Sequence, residues 1–139
     1  VNQIECHPYL SQKPLIDYCK THHIHVTAYA PLGSGDRPSF MKSQSEPSLL
    51  ENPIIMDIAK NHNCTTAQVL IRWAHYNGTS VIPKSTHPER MQQNLESVRI
   101  NLTEDDIETI NNLNQDFRFI TGEFFEKPGS GYTKAMIWE

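Results

Sequence analysis

Strand-like segments that alternate with helix-like segments constrain this chain more than any other feature. Residues 1–5 alternate, with Val1, Gln3 and Glu5 on one face and Asn2, Ile4 and Cys6 on the other. Residues 24–30 do so more strongly. Ile24, Val26, Ala28 and Ala30 make an apolar face, and His25, Thr27 and Tyr29 make the opposite one. A third short strand is predicted over 81–84. With helices between them, these strands predict a parallel α/β sheet. Three parallel strands alone leave two open edges. If helices cover only one side, the second face must look into a lined space, such as a barrel interior or a ligand cleft.

The helices are marked by their ends. Ser11 and Pro14 open one over 12–22, with Leu15, Ile16 and Cys19 as its apolar stripe. Pro53 opens another, with Ile54, Ile55, Ile58 and Ala59 on one face and an end near 61–63. Thr65 and Gln68 have capping-box spacing, so a helix is predicted from there to about Tyr76. It should bury Ala67, Leu70, Ile71 and Ala74, and Asn77-Gly78 should end it. The helix from Pro88 carries Met91, Leu95 and Val98 at i, i+4 and i+7. A last helix starts at Thr103, with Glu104, Asp105 and Asp106 in its positively polarised first turn and Ile107, Ile110 and Leu113 as its buried row. Residues 31–48 form a long Gly- and Pro-containing loop, a length that in a compact domain usually signals function or disorder. From Asp116 onward periodicity is lost, and aromatic residues scatter among Gly and Pro.

One junction carries chemistry. A strand delivers Lys84 and Ser85 to the N-terminus of the helix at Pro88, whose first turn bears Arg90. Unpaired N–H groups and the positive dipole end attract phosphate there, and a guanidinium fork can grip two of its oxygens. A capped surface helix after a strand is the plainer alternative.

Composition narrows the partners. The 139 residues suit a single domain, and a net charge of −4 gives no support for nucleic acid or an anionic membrane as partner. No apolar run approaches the roughly 20 residues that cross a bilayer, and no signal peptide is visible. Cys6, Cys19 and Cys64 are an odd set without CxxC spacing, which predicts reduced thiols and a cytoplasmic setting. Structural zinc sites use paired ligands at short fixed spacing, and the histidines and cysteines here are dispersed, so no metal is expected. The chain opens without methionine and inside a strand, so a partial sequence is expected. An (α/β)₈ barrel needs about 250 residues.

Three motifs carry a family resemblance. Val1-Asn2-Gln3-Ile4-Glu5-Cys6-His7-Pro8-Tyr9, then Thr27-Ala28-Tyr29-Ala30-Pro31-Leu32-Gly33-Ser34, then Ile82-Pro83-Lys84-Ser85 resemble the aldo-keto reductases, in the family's order and spacing. The resemblance runs from Val1 to roughly Leu113 and takes in 65–73. It implies the C-terminal portion of an (α/β)₈ TIM barrel: strands six to eight, their helices, and a tail over 116–139. It also implies NADPH-dependent reduction of a small-molecule carbonyl, an aldehyde or ketone, by a protein expected to be a monomer.

Roles follow from the same resemblance, position by position. Gln3 matches the glutamine that holds the nicotinamide carboxamide, and Tyr29 the tyrosine that stacks on the nicotinamide ring. Leu32, Ser34 and Asp36 lie where the family's loop folds over the pyrophosphate. Lys84, Ser85 and Arg90 match the clamp on the adenosine 2′-phosphate, and Asn94 a contact to adenine. Lys84 with Arg90 favours NADP over NAD, because a 2′-phosphate needs cations. Ala30, Thr86-His87 and Gln93 depart from the usual pattern. The family's catalytic aspartate, tyrosine, lysine and histidine match no position between Val1 and Glu139. Two readings stand. One is the cofactor-binding part of a carbonyl reductase; the other is a non-catalytic nucleotide-binding or interaction fragment.

Overall fold

The computed structural model describes residues 1–43 and 45–138. Strand β1 spans Asn2–Glu5, β2 Val26–Tyr29 and β3 Ser80–Val81, side by side in that order and all parallel. Asn2 pairs with Val26 and Glu5 with Tyr29, while Thr27 and Ala28 pair with Ser80 and Val81. Order and direction agree with the sequence reading; the lengths do not. After Ile82 N–H reaches Ala28 O at 3.3 Å, Pro83 has no N–H to continue the ladder, so β3 does not extend to Lys84. At the other end of β2, His23 takes φ 56°, and Ile24 N–H is spent on Cys19 O at 2.8 Å. Residues 24 and 25 are therefore turn and lead-in rather than strand.

Among the described residues six helices accompany the sheet: α1 Lys13–Thr21, α2 Pro53–Asn61, α3 Thr66–Tyr76, α4 Pro88–Glu96, α5 Glu104–Asn111 and α6 Lys134–Trp138. The caps do what their residue types require. Asn52 accepts from the Ile54 and Ile55 N–H groups ahead of Pro53. Thr65 and Gln68 close a reciprocal capping box on α3, and Thr103 with Asp106 closes a second on α5. His62, at the end of α2, places Nε2 2.8 Å from the same Asp106 carboxylate and ties the two helices together.

Cys6, Val26 and Ala28, on one face of the sheet, share a single buried cluster with Ile16 and Cys19 of α1, Ile55 and Ile58 of α2, Leu70 and Trp73 of α3, and Ile107 and Ile110 of α5. Trp73 Nε1–H donates to Asn111 Oδ1 at 2.9 Å, so the buried indole leaves no donor unpaired. Two expected core positions differ, and one that was not expected is buried. Ile54 faces solvent, Ala67 is only half-buried, and Val69 is buried in its place. The row Met91, Leu95 and Val98 also points outward, 48%, 70% and 55% exposed. Helix α4 meets α3 through its other side, where Gln68 Nε2–H donates to Gln93 O at 3.0 Å, and that orientation turns the apolar row away.

The opposite face of the sheet carries Gln3, Thr27 and Tyr29, and Arg118, Ile137 and Trp138 of the C-terminal tail lie across from Gln3 and Tyr29. Aperiodic in sequence, the tail nonetheless holds a 3-10 turn at Glu123–Phe125 and the short α6. Phe119 enters the core, while Phe124, Phe125, Tyr132 and Trp138 stay exposed. No helix among the described residues is long and apolar enough to cross a membrane. Removing the α3 cap by Thr65→Ala should lower stability by about 1 kcal/mol, with Thr65→Ser close to wild type. Urea denaturation of the full-length protein checks this, and equal midpoints for all three would contradict it.

Candidate functional site

Beyond β2 the backbone leaves regular structure abruptly. Ala30 and Ser34 take φ 52° and 48°, and Gly33 takes φ 84°. A side chain on Gly33 would be strained by that φ, and its Cβ would lie 3.2 Å from the Phe119 ring. The loop is thus folded tightly against the core and directed to one side of the sheet. There, with residues 82–87 and the N-terminal ends of α3 and α4, it encloses a cavity of about 740 Å³.

Seven of the nine predicted site residues line this cavity: Leu32, Ser34, Asp36, Lys84, Ser85, Arg90 and Asn94. Asp36 comes from the loop after β2 and Lys84 from the segment after β3, and their side chains meet at 2.6 Å. Both are more than half exposed, so the pair fixes geometry rather than contributing much stability. Through that hydrogen bond, Lys84 holds the Asp36 carboxyl below the usual aspartate range. Ser85 Oγ accepts from His87 N–H at 3.1 Å, which orders the turn into α4. His87, the residue that precedes the helix, provides no side-chain cap, so the first N–H groups of α4 keep their capacity to bind an anion. Arg90 and Asn94 sit one turn apart on α4.

Thr65, Thr66 and Ala67 also line the cavity, and no chemical signal in the sequence had pointed to them. They bring a second helix N-terminus to the same space. Gln68 could have hinted at it, since its amide serves the α3 capping box and donates to α4 through Gln93 O.

Gln3 and Tyr29 are not part of that space. They line a separate cavity of about 360 Å³, with Arg118, Ile137 and Trp138 across from them. Burial, and then the nearby Glu5 charge, raise the Tyr29 phenol above its ordinary value, and Arg118 opposes both. The Arg118 guanidinium carbon lies 3.9 Å from the Trp138 ring centroid. Sequence reasoning missed Arg118, because a basic residue in an aperiodic tail carries no positional signal. It also missed Glu5, which is 1% exposed.

The surroundings of the two cavities bear on the thiols. Burial, with help from Glu5, pushes Cys6 up to about 12, so it is a small core side chain and not a nucleophile. Cys19 is buried as well, and burial also raises the half-exposed Cys64.

Comparison with known proteins decides the family. The model of the aldo/keto reductase family matches residues 1–115. The chain belongs to this family. An aldo/keto reductase of Synechocystis is 45% identical over 139 residues, which is all of this chain and 42% of that protein. Aldo-keto reductase family 1 member A1-A of Danio rerio is 46% identical over 120 residues, 86% of this chain and 36% of the relative. Prostaglandin-E(2) 9-reductase of Oryctolagus cuniculus is 39% identical over 123 residues, 88% of this chain and 38% of the relative. The aldo/keto reductase chain described here therefore spans about two fifths of the length of these relatives.

The Asp36–Lys84 pair has a definite pH signature. A depressed carboxyl pKa means that the contact is fully present above the unfolded aspartate value and is lost as pH falls through the lower folded value. In a carbon-detected NMR titration, Asp36 should titrate below an ordinary aspartate, and Lys84→Met should return it to the ordinary range. An Asp36 midpoint unchanged by Lys84→Met would show that the pair does not form.

Proposed function

We propose that this chain is the cofactor-binding part of an NADPH-dependent carbonyl reductase with an (α/β)₈ barrel. Its three strands would be barrel strands six to eight, and residues 116–139 the tail at the barrel mouth. One observation carries the reading. In an aldo/keto reductase chain, Lys84, Ser85 and Arg90 gather with the loop residues Leu32, Ser34 and Asp36 around one cavity, at the N-terminal ends of two helices.

The residues present fit the dinucleotide. Cations and helix N-termini suit phosphate, the loop wall from Ala30 to Leu32 supplies apolar surface, and Asn94 offers an amide to an adenine edge. Bound there, NADPH would supply a hydride to a carbonyl carbon. Lys84 and Arg90 would hold the 2′-phosphate, and Ser85 would add a hydroxyl donor. Leu32, Ser34 and Asp36 would close over the pyrophosphate, with the Asp36–Lys84 contact as a bridge across it. Gln3 would orient the carboxamide and Tyr29 would support the ring, in the second cavity. The group that protonates the carbonyl oxygen would be supplied by the rest of the protein, since the family's catalytic four match no residue here. The open edges of β1 and β3 and the outward row Met91, Leu95 and Val98 are surfaces that such a barrel would cover. A cytoplasmic, monomeric enzyme is part of the same proposal.

Cofactor preference tests the clamp. A charge-assisted hydrogen bond contributes about 1.5–3 kcal/mol, so Lys84→Ala with Arg90→Ala should raise the NADPH Michaelis constant roughly tenfold or more. The NADH constant should move far less. Equal changes for both cofactors would sink the 2′-phosphate assignment.

The alternative, a non-catalytic nucleotide-binding or interaction fragment, parts from this reading in isolation. Expressed alone, the 139 residues should melt without cooperativity and fail to reduce aldehydes. A cooperative melt with NADPH binding but no partner segment would favour the alternative.

A further inference from the structure

Phe119 is held by charged side chains from two directions. Its N–H donates to Glu5 Oε1 at 2.6 Å, and the next residue, Ile120, donates to Glu5 Oε2 at 3.2 Å. Its carbonyl accepts from an Arg37 terminal nitrogen. Glu5 stands at the end of β1 and Arg37 in the loop after β2, 114 and 82 residues away in sequence.

Each of the two side chains is committed to its task. Glu5 is 1% exposed and also meets His7 Nε2 at 3.0 Å, with Arg118 at 3.6 Å. A buried carboxylate is costly unless donors surround it, and here two of them are main-chain N–H groups of the tail. The Arg37 side chain is 8% exposed. Its Nε donates to Ser34 O at 3.1 Å, and its terminal nitrogens reach Met41 O at 2.8 Å and Glu46 Oε2 at 2.6 Å. The guanidinium also lies over the Phe119 ring, 5.6 Å from the centroid. The same ring packs edge-on against His7 at 4.8 Å, and it would crowd a Cβ on Gly33 at 3.2 Å.

The two cavities thus share one post. The loop bearing Ser34 and Asp36, which walls the larger cavity, is pinned to Phe119 by Arg37. The stretch bearing Arg118, which walls the smaller cavity, is pinned to β1 through the Phe119 and Ile120 N–H groups. Trp138 joins it through an indole N–H donated to Thr121 O at 2.7 Å. Displacing the loop would remove the Arg37 donor from the Phe119 carbonyl, and displacing the tail would strip donors from the buried Glu5 carboxylate. Neither segment can shift alone without leaving a buried polar group unpaired.

We propose that Glu5 and Arg37 are positioning residues that hold Phe119 from both sides, so that the loop over the phosphate-type cavity and the tail over the Gln3–Tyr29 cavity order as one unit. The inference rests on the carbonyl-reductase reading. Occupancy of the larger cavity by the adenosine 2′-phosphate end of a nucleotide would then order the wall of the smaller one, and so prepare the space where the nicotinamide would sit. Coupling of this kind is reciprocal in binding free energy.

Hydrogen exchange on the full-length protein, with and without adenosine 2′,5′-bisphosphate, which carries the 2′-phosphate but no nicotinamide, tests it. In the wild type, this probe should slow exchange in the loop 33–42 and also, by about fivefold or more, at 118–122 and 134–138. Arg37→Met should keep the protection in the loop and lose it in the tail, and Arg37→Lys should restore part of it. Protection of the loop with an unchanged tail in the wild type would overturn the inference, even if no variant folds. Full tail protection in Arg37→Met would equally overturn it. No protection anywhere in 33–42 and 84–94 would overturn the cofactor reading, and this inference with it.

Discussion

The structure depends on how β2 is enclosed. Its Ala28 has no exposed surface, with β1 on one side, β3 on the other and helices beneath. A small side chain there lets Trp73 and Leu70 of α3 approach the sheet, and α2 and α5 pack on in turn. Because all this apolar material lies on one face, the other is left for polar and aromatic groups: Gln3, Thr27 and Tyr29. Those are side chains a ligand can use. The same enclosure sets where β2 ends, and Ala30, Gly33 and Ser34 take up the sharp change of direction in left-handed backbone. A strand buried on one side, leaving a strained loop at its C-terminal end, is how an α/β sheet builds a site.

Electrostatics at the two cavities is arranged differently. Around the larger one the charges are exposed and adjustable. Lys84 pairs with Asp36 in solvent, where the pair contributes little to stability and can open for an incoming anion. Near the smaller one the charge of Glu5 is buried and fully engaged, where removing a partner would be expensive. The first arrangement suits binding and release; the second suits holding a wall in place.

Much of this was legible in the sequence, for local reasons. The alternation over 24–30, the Thr65–Gln68 box and the start at Thr103 are short-range patterns, and each produced its element. The gathering of Lys84, Ser85 and Arg90 at a helix N-terminus was also readable, because spacing along one turn decides it. What escaped was long-range. Glu5 reads as a polar strand end, and only a tail 114 residues away shows that its carboxylate is buried. Phe119 has no periodic company, so nothing local marks it as core. Met91, Leu95 and Val98 have helical spacing but face outward, because the contact between Gln68 and Gln93 sets the rotation of α4. Periodicity identifies an apolar row without identifying what covers it.

On the proposed function, the cavity beside Lys84 and Arg90 would receive the phosphate end of a dinucleotide, while Gln3 and Tyr29 would receive its nicotinamide. A crystal structure of the full-length protein with NADP⁺ is the most direct measurement. The 2′-phosphate is expected within hydrogen-bonding distance of Lys84, Ser85 and Arg90, and the nicotinamide ring against Tyr29. A dinucleotide bound with its 2′-phosphate away from these residues, or bound on another face of the sheet, would contradict it.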